Sequence, residues 1–420
     1  MGMAATQGNP PASSEMLARL EADLDGLLEA RASVWPRRSH PAYRALKAAL
    51  ETYTNAVCTL AGERPALWIS EELQAATERF RNHPVFIVGA PKSGTTLVRN
   101  LLDGHPELVV LPSEGQYWAT FLRRFGRATF SSQIDALGRI WVERFINPDG
   151  QPPLWLLGKT RADRTNSYVD FIRYLTAWAH QLQGRGSGNL LLALALAFHA
   201  VTKGPANGRA EDGATPVAWV EKTPLNELYL DLILTSFPRA RFIHVVRDPR
   251  AIVSSRRTLK AYRGPTRHSL VADCLLLRRS FAGGARNLRR LGTRRYHVLR
   301  YEDLVQEPVE AVRHLADFLG VEDDASLTRP SVMGRPASSN SAYPHLRVPG
   351  RIYDEASRRF VDVLNAREQL VIEGVLRREA GRFGYEWPAP PRPALIMAVA
   401  RAGIEAIPFY FHRLKARLNS

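Results

Sequence analysis

His83 to Glu114 reads HPVFIVGAPKSGTTLVRNLLDGHPELVVLPSE, and the reading of this stretch decides the fold. Val85 to Val88 form a short continuous apolar run between Pro84 and Gly89, the pattern of a strand buried on both faces. Gly89-Ala90-Pro91-Lys92-Ser93-Gly94 then supplies small residues, one cation and a permissive backbone. Thr95 and Thr96 open an amphipathic segment whose apolar positions, Leu97, Val98, Leu101 and Leu102, predict a helix. Strand, glycine loop and helix N-terminus make an anion site, because unpaired backbone N–H groups and the helix dipole converge on the loop.

The pattern recurs downstream. Val217 to Val220 precede Glu221-Lys222-Thr223-Pro224 and a helix through Leu228, Leu232 and Ile233. Arg241 to Val246 precede Arg247-Asp248-Pro249 and a helix carrying Ser254 and Ser255, and Tyr296 to Arg300 run into Tyr301-Glu302-Asp303-Leu304. Strands alternating with helices predict an α/β fold, a three-layer P-loop-type parallel sheet flanked by helices, in which ligands bind where strands end. Lys92, Lys222 and Arg247 all stand at such ends.

This domain is expected to span 83–388, between two appendages. Residues 1–82 read as an N-terminal helical extension, with Leu17, Leu20, Leu24, Leu27 and Leu28 on one face, Ser13-Ser14 as cap and Pro36 as terminator. A second helix follows Pro41, and a third carries Trp68, Ile69 and Leu73 toward Phe80; the extension either packs on the main domain or forms a homodimer. Beyond Glu114, an aromatic-rich helical stretch ends at the turn Asn147-Pro148-Asp149-Gly150. A helical insert from Tyr168 to Ala200, broken at Gln183 to Gly188, is assigned to acceptor selection. Pro330 to Arg351 reads as a loop closing over a ligand, with Ser338, Ser339, Asn340 and Arg347 as donors. Residues 389–420 form an amphipathic C-terminal tail, helical from Ala394 to Leu418 and kinked at Pro408. It sets Ile396, Val399, Ile404, Phe409, Tyr410 and Phe411 beside Arg413, Lys415 and Arg417, which suits a membrane surface, the domain itself or a partner subunit.

At 45% hydrophobic composition the 420 residues can bury a substantial core. The formal net charge of +16 favours acidic ligands, yet the basic residues are interspersed with acidic ones and no nucleic-acid-binding signature is present, so a nucleic-acid partner is not expected. Cys58 and Cys274 cannot build a disulfide framework and have no metal-ligand spacing. The N-terminus lacks the regions of a signal peptide, and the longest apolar run, Leu190 to Val201, is shorter than the ~18 residues of a membrane span. A cytoplasmic protein is the expectation.

A nucleotide triphosphatase loop places lysine directly after its second glycine. Here Thr95 takes that place and Lys92 lies inside the loop. The order Pro-Lys-Ser-Gly-Thr-Thr resembles instead the 5′-phosphosulfate loop of sulfotransferases that use 3′-phosphoadenosine 5′-phosphosulfate (PAPS), and the likeness extends over roughly Pro84 to Tyr385. Phe237 to Arg250, followed by Ser255, is similar to that family's 3′-phosphate site, which places Arg247 and Ser255 on the phosphate. The resemblance implies PAPS as donor with no obligatory metal, and Lys92, Ser93, Gly94, Thr95 and Thr96 around the 5′-phosphate. It also implies Lys222 on the transferred group, Tyr301 near the adenine, Ser338 and Ser339 beside the sulfuryl group, and Arg351 at the cofactor loop.

Cytosolic members of that family carry a histidine where Pro224 stands, which closes that route to a base. The tyrosylprotein sulfotransferases use a glutamate shortly after the first helix, and Glu114 lies at nearly that distance from Lys92. Glu114, Lys92 and Lys222 are thus the expected catalytic residues, acting on a small-molecule, glycan or lipid acceptor. Two rivals remain open at this point, a P-loop kinase or nucleotidase and a non-catalytic nucleotide- or lipid-binding scaffold.

Overall fold

The computed structural model describes residues 14–31, 41–65, 67–146, 154–158, 160–184, 186–203, 216–258, 269–339 and 347–418. Ser13, Pro36, the Asn147-Pro148-Asp149-Gly150 turn and Asn340, all singled out above, lie outside the described residues.

Five strands, β1 (Pro84–Val88), β2 (Leu108–Val110), β3 (Ala218–Lys222), β4 (Arg241–Val246) and β5 (Tyr296–Arg300), form one sheet in the order β2-β3-β1-β4-β5. Every neighbouring pair is parallel. All five residues of β1 are buried, as a central strand with helices on both faces requires. Val85 and Ile87 join Val98, Leu101 and Leu315 in the core on one face. Phe86, between them, packs its ring on Trp219, Phe237 and Phe242. The two-sided burial read from the apolar run is therefore a three-layer α/β fold. The short edge strand β2 is the element the sequence does not announce, since three residues carry too little periodicity; β3 alone pairs with it.

The packing divides the chain into two units, one of residues 1–81 and 120–214 and one of 82–119 and 215–420. These boundaries differ from the three consecutive segments expected, because the helical insert groups with the N-terminal helices. Within that helical unit the hydroxyls of Tyr53 and Thr165 both donate to Glu21 Oε1, at 3.0 and 2.8 Å, and the rings of Tyr53 and Tyr168 meet edge to face. Contacts across more than a hundred positions of sequence leave no trace in local pattern. Trp68 and Ile69 precede the third helix, Glu71–Asn82, whose start Ser70 caps by accepting the N–H of Leu73. Trp68 is 82% exposed, so it is not a core anchor.

The sheet unit ends in two helices, Arg392–Glu405 and Ile407–Leu418, with Ala406 between them. The break falls ahead of Pro408, which occupies the first turn of the second helix, where its missing N–H costs nothing.

Candidate active site

The loop after β1 is shaped by its glycines. Gly89 has φ +136, and a Cβ there would lie 2.4 Å from the Val245 carbonyl oxygen on β4. Its N–H donates to Glu227 Oε2 at 3.0 Å, and Ser280 Oγ donates to the other oxygen of the same carboxylate. Gly94, with φ +109, is the N-cap of the helix Thr95–Leu102, and a Cβ there would meet the Tyr301 ring at 2.4 Å. Lys92 itself takes a left-handed backbone, φ 77, uncommon for a side chain of its kind and concentrated at functional turns.

Arg247 leaves β4 beside this loop. Its Nη1 donates to the Lys92 carbonyl oxygen at 3.1 Å, and its guanidinium lies 4.3 Å over the Tyr301 ring. Asp248 caps the following helix, Pro249–Arg257, by accepting from the Arg250 N–H, while the Asp248 N–H donates to Glu302 Oε1 at 2.9 Å. The segment bearing Ser338 and Ser339 is anchored from the far end of the helix Thr95–Leu102, where Asp103 Oδ2 accepts from Ser331 Oγ at 2.6 Å and from the Gly334 N–H at 2.9 Å. That segment contains a two-stranded ladder, Ser331–Val332 with Arg335–Pro336, where the sequence suggested loop alone.

These elements enclose one pocket at the carboxyl ends of β1, β4 and β5. Of the anticipated residues, Lys92, Gly94, Thr95, Thr96, Arg247, Ser255, Tyr301, Ser338, Ser339 and Arg351 all line it. Ser93 does not: its Oγ is buried against Gly89 and its N–H is spent on the Ala90 carbonyl. Asn100, Ser254, Tyr353 and Arg359 line the pocket too. Nothing in the sequence marks Tyr353 or Arg359, whereas Asn100, three to four residues past Thr96 and Leu97, is recoverable from helical spacing.

The pocket is electropositive to a degree that shows in Lys92. Burial, and then the charges of Arg247, Lys222, Arg347 and Arg256, push its ammonium down to about 8 from the ordinary 10.5. A buried cation ringed by cations favours any anion that enters, and the glycine cradle offers backbone N–H groups on the same side. The donor set therefore suits an anionic ligand.

Glu114 and Lys222 form a second feature, close to the pocket without lining it. Lys222 Nζ is 2.6 Å from Glu114 Oε1, and the other carboxylate oxygen accepts from Gln116 Nε2 at 3.0 Å. The Lys222 side chain is 3% exposed and that of Glu114 36%, so the carboxylate is the reachable partner. Burial pushes the Glu114 carboxyl up, but the Lys222 ammonium, with Gln116 and Arg99 adding, outweighs it and holds the group below its usual range. The loop that carries Glu114 is pinned on three sides. Arg99 Nη1 donates to the Pro112 carbonyl at 2.6 Å, the Gly115 N–H to Glu221 Oε1 at 2.8 Å, and the Gln116 N–H to Thr223 Oγ1 at 2.8 Å.

Four other buried titratable groups near the sheet, Glu221, Glu227, His105 and His244, are engaged in holding the fold. Glu221 and Glu227, both pushed up to about 7 by burial, hold backbone N–H groups of the two site loops. His105 bonds the Glu322 carbonyl and His244 the Tyr296 hydroxyl. Burial pushes His244 down to about 3, so it is neutral at physiological pH. Among the described residues no group of three or more His, Cys, Asp or Glu is placed to hold a metal ion.

Comparison with known proteins adds the family. The family model described as "Sulfotransferase family" matches residues 84–325. The omega-hydroxy-beta-dihydromenaquinone-9 sulfotransferases Stf3 of Mycobacterium bovis and Mycobacterium tuberculosis are each 34% identical to this chain over 113 residues. That match covers 24% of this chain and 28% of the relative, so the chain spans little more than a quarter of the length of these curated relatives. The sulfotransferase domain of the Synechococcus PCC 7002 olefin synthase is 20% identical, with 74% of this chain and 97% of that one covered and a TM-score of 0.43. Because the family match begins at β1, runs past β5 and takes in more than half of the 420 residues, the chain belongs to the sulfotransferase family.

Proposed function

We propose that this enzyme uses PAPS as donor and moves its sulfuryl group to a hydroxyl, or less readily an amine, of a small-molecule, glycan or lipid acceptor, with Glu114 as base. The observation that carries this reading is the meeting of Lys92 and Arg247 in one pocket at the ends of adjacent strands, over the face of Tyr301. The mycobacterial relatives are named for an omega-hydroxy dihydromenaquinone, which supports a hydroxyl on a lipid-like acceptor.

PAPS supplies a sulfuryl group already bonded to a phosphate that can leave. Lys92 and the N–H groups opening helix Thr95–Leu102 suit that phosphate, Arg247 and Ser255 suit the second one, and Tyr301 offers a flat face to a base. One cation ~4 Å from the departing phosphate interacts by ~4 kcal/mol at an effective dielectric of ~20. A preorganised donor contributes ~3 kcal/mol to a barrier. Lysine and loop amides thus suffice for the leaving charge. Glu114 takes the acceptor's hydroxyl proton as the acceptor oxygen bonds to sulfur. Lys222, released from a carboxylate that has become neutral, is then free to meet charge on the transferred group.

The test is a thermal-shift comparison of PAP, PAPS, ATP and GTP, with and without magnesium, since a ligand bound only by the folded state raises the melting temperature. PAP and PAPS are expected to stabilise the protein regardless of metal. A preference for ATP that EDTA abolishes would turn the assignment toward a kinase or nucleotidase. PAP binding by the unsubstituted protein, with no turnover across an acceptor screen, would leave a nucleotide-binding scaffold.

A further inference from the structure

The C-terminal helix pair presents two opposed faces. On one, Ala398, Ala402, Ala406 and Phe409 are buried, and Leu395 packs so tightly on the helix Ala366–Gly381 that a Cβ at Gly374 would lie 2.4 Å from it. Small residues permit that close approach and tie the pair to the domain. On the other, Ile396, Ile404, Ile407, Phe411 and Leu414 are 68, 67, 61, 68 and 56% exposed. Positions 396, 400, 403, 407, 411 and 414 recur at three- and four-residue intervals, so the apolar stripe continues across Ala406 from one helix to the next. None of the six is charged.

We propose that this stripe docks on an anionic lipid bilayer, with the helix pair lying in the interface plane. Charge complementarity selects the occupant. Arg392, Arg401 and Arg413 are exposed along the pair, and the sequence adds Lys415 and Arg417. The one acid, Glu405, is already paired with Arg367 at 2.8 Å and with Arg401 at 3.3 Å. An exposed apolar stripe bordered by arginines is the pattern of a monotopic helix. A second copy fits less well, because a two-fold contact through this face would set one basic border against its own image. By length and composition alone Arg392–Leu414 could also cross a membrane. The burial of its alanine face on the domain opposes spanning, since a spanning helix would have to leave those contacts. Arg401 and Glu405, which interrupt the apolar run, are why the sequence does not show the length. The proposal is independent of the transfer chemistry, and its test reads no turnover.

Flotation of the full chain with phosphatidylcholine vesicles, pure or containing phosphatidylglycerol, decides it. Binding is expected to be at least about tenfold stronger to the anionic vesicles and to weaken in high salt. Ile404→Asp with Phe411→Asp should cut it by a similar factor while the far-UV circular dichroism spectrum and a cooperative melting transition are kept, which shows that the variant is folded. Carbonate at high pH should release the protein. Absence of flotation, equal flotation of the double variant, retention after carbonate, or a dimer in light scattering that the double variant dissociates would each overturn the proposal.

Discussion

Two lysines at the carboxyl edge of one sheet have opposite surroundings. Lys92 follows β1, and burial, then the charges of four cations with Lys222 among them, push its ammonium down to about 8. Lys222 ends β3, next to β1 in the sheet, and donates at 2.6 Å to Glu114. The first region holds an excess of positive charge that an anion can neutralise. The second already has its countercharge in contact, and under the proposed mechanism it becomes available when Glu114 takes up a proton. Under the proposed mechanism the difference separates binding from chemistry: one lysine holds charge that arrives, the other responds to a proton transfer.

The contrast can be broken most decisively at Glu114. Glu114→Gln keeps the shape and a hydrogen-bond acceptor for Lys222 but removes the proposed base, so turnover should fall by about 10²- to 10⁴-fold while the PAP-induced thermal shift persists. Turnover near the wild-type rate would remove Glu114 from the mechanism. Lys92→Ala should lower kcat/KM by about 10²- to 10³-fold and, unlike the Glu114 variant, weaken PAP in calorimetry as well. If both variants lose the same property, the two regions do not have separate tasks.

Smaller effects sharpen the comparison. Glu227→Ala leaves the buried Gly89 N–H without its acceptor and should cost about 1–3 kcal/mol of stability in urea unfolding. Glu227→Gln retains an acceptor and should cost far less; equal losses would mean that the N–H contact is not what the carboxylate provides. The pH dependence of PAP affinity is the mildest probe. Below pH 8 the Lys92 ammonium is present before binding, so affinity is flat. Above it the free enzyme must first take up a proton, so affinity falls, by at most about tenfold per pH unit. The same lowered value, about 8 against 10.5, means that this group makes the ligand-free fold more stable as pH rises between those values, because the unfolded chain then holds more protons. Lys92→Ala should abolish both slopes.

Much of the donor side of the site is legible in the sequence. Lys92, Gly94, Thr95 and Thr96 are contiguous, and Arg247 and Ser255 stand on one strand exit and its helix, so local geometry alone carries them to the pocket. Ser93, in the middle of the motif, is turned inward because the tight loop leaves its side chain facing Gly89. The Glu114–Lys222 pair joins residues 108 positions apart, and no local pattern could have forecast that Lys222 pairs with Glu114 and not with its neighbour Glu221. Glu221 is instead engaged by Gly115 and Asn226, since alternate side chains of a strand face opposite ways.

The sequence by itself determined that strands alternate with helices and that cations stand where strands end, because periodicity, glycine conformation and loop chemistry act over a few residues. Tertiary structure decided which cations share a cavity, which carboxylate meets which lysine, that the helical insert joins the N-terminal helices, and which face of the terminal helices stays bare. Those outcomes depend on packing between segments far apart in the chain, where burial and charge are set by neighbours that the local sequence does not name.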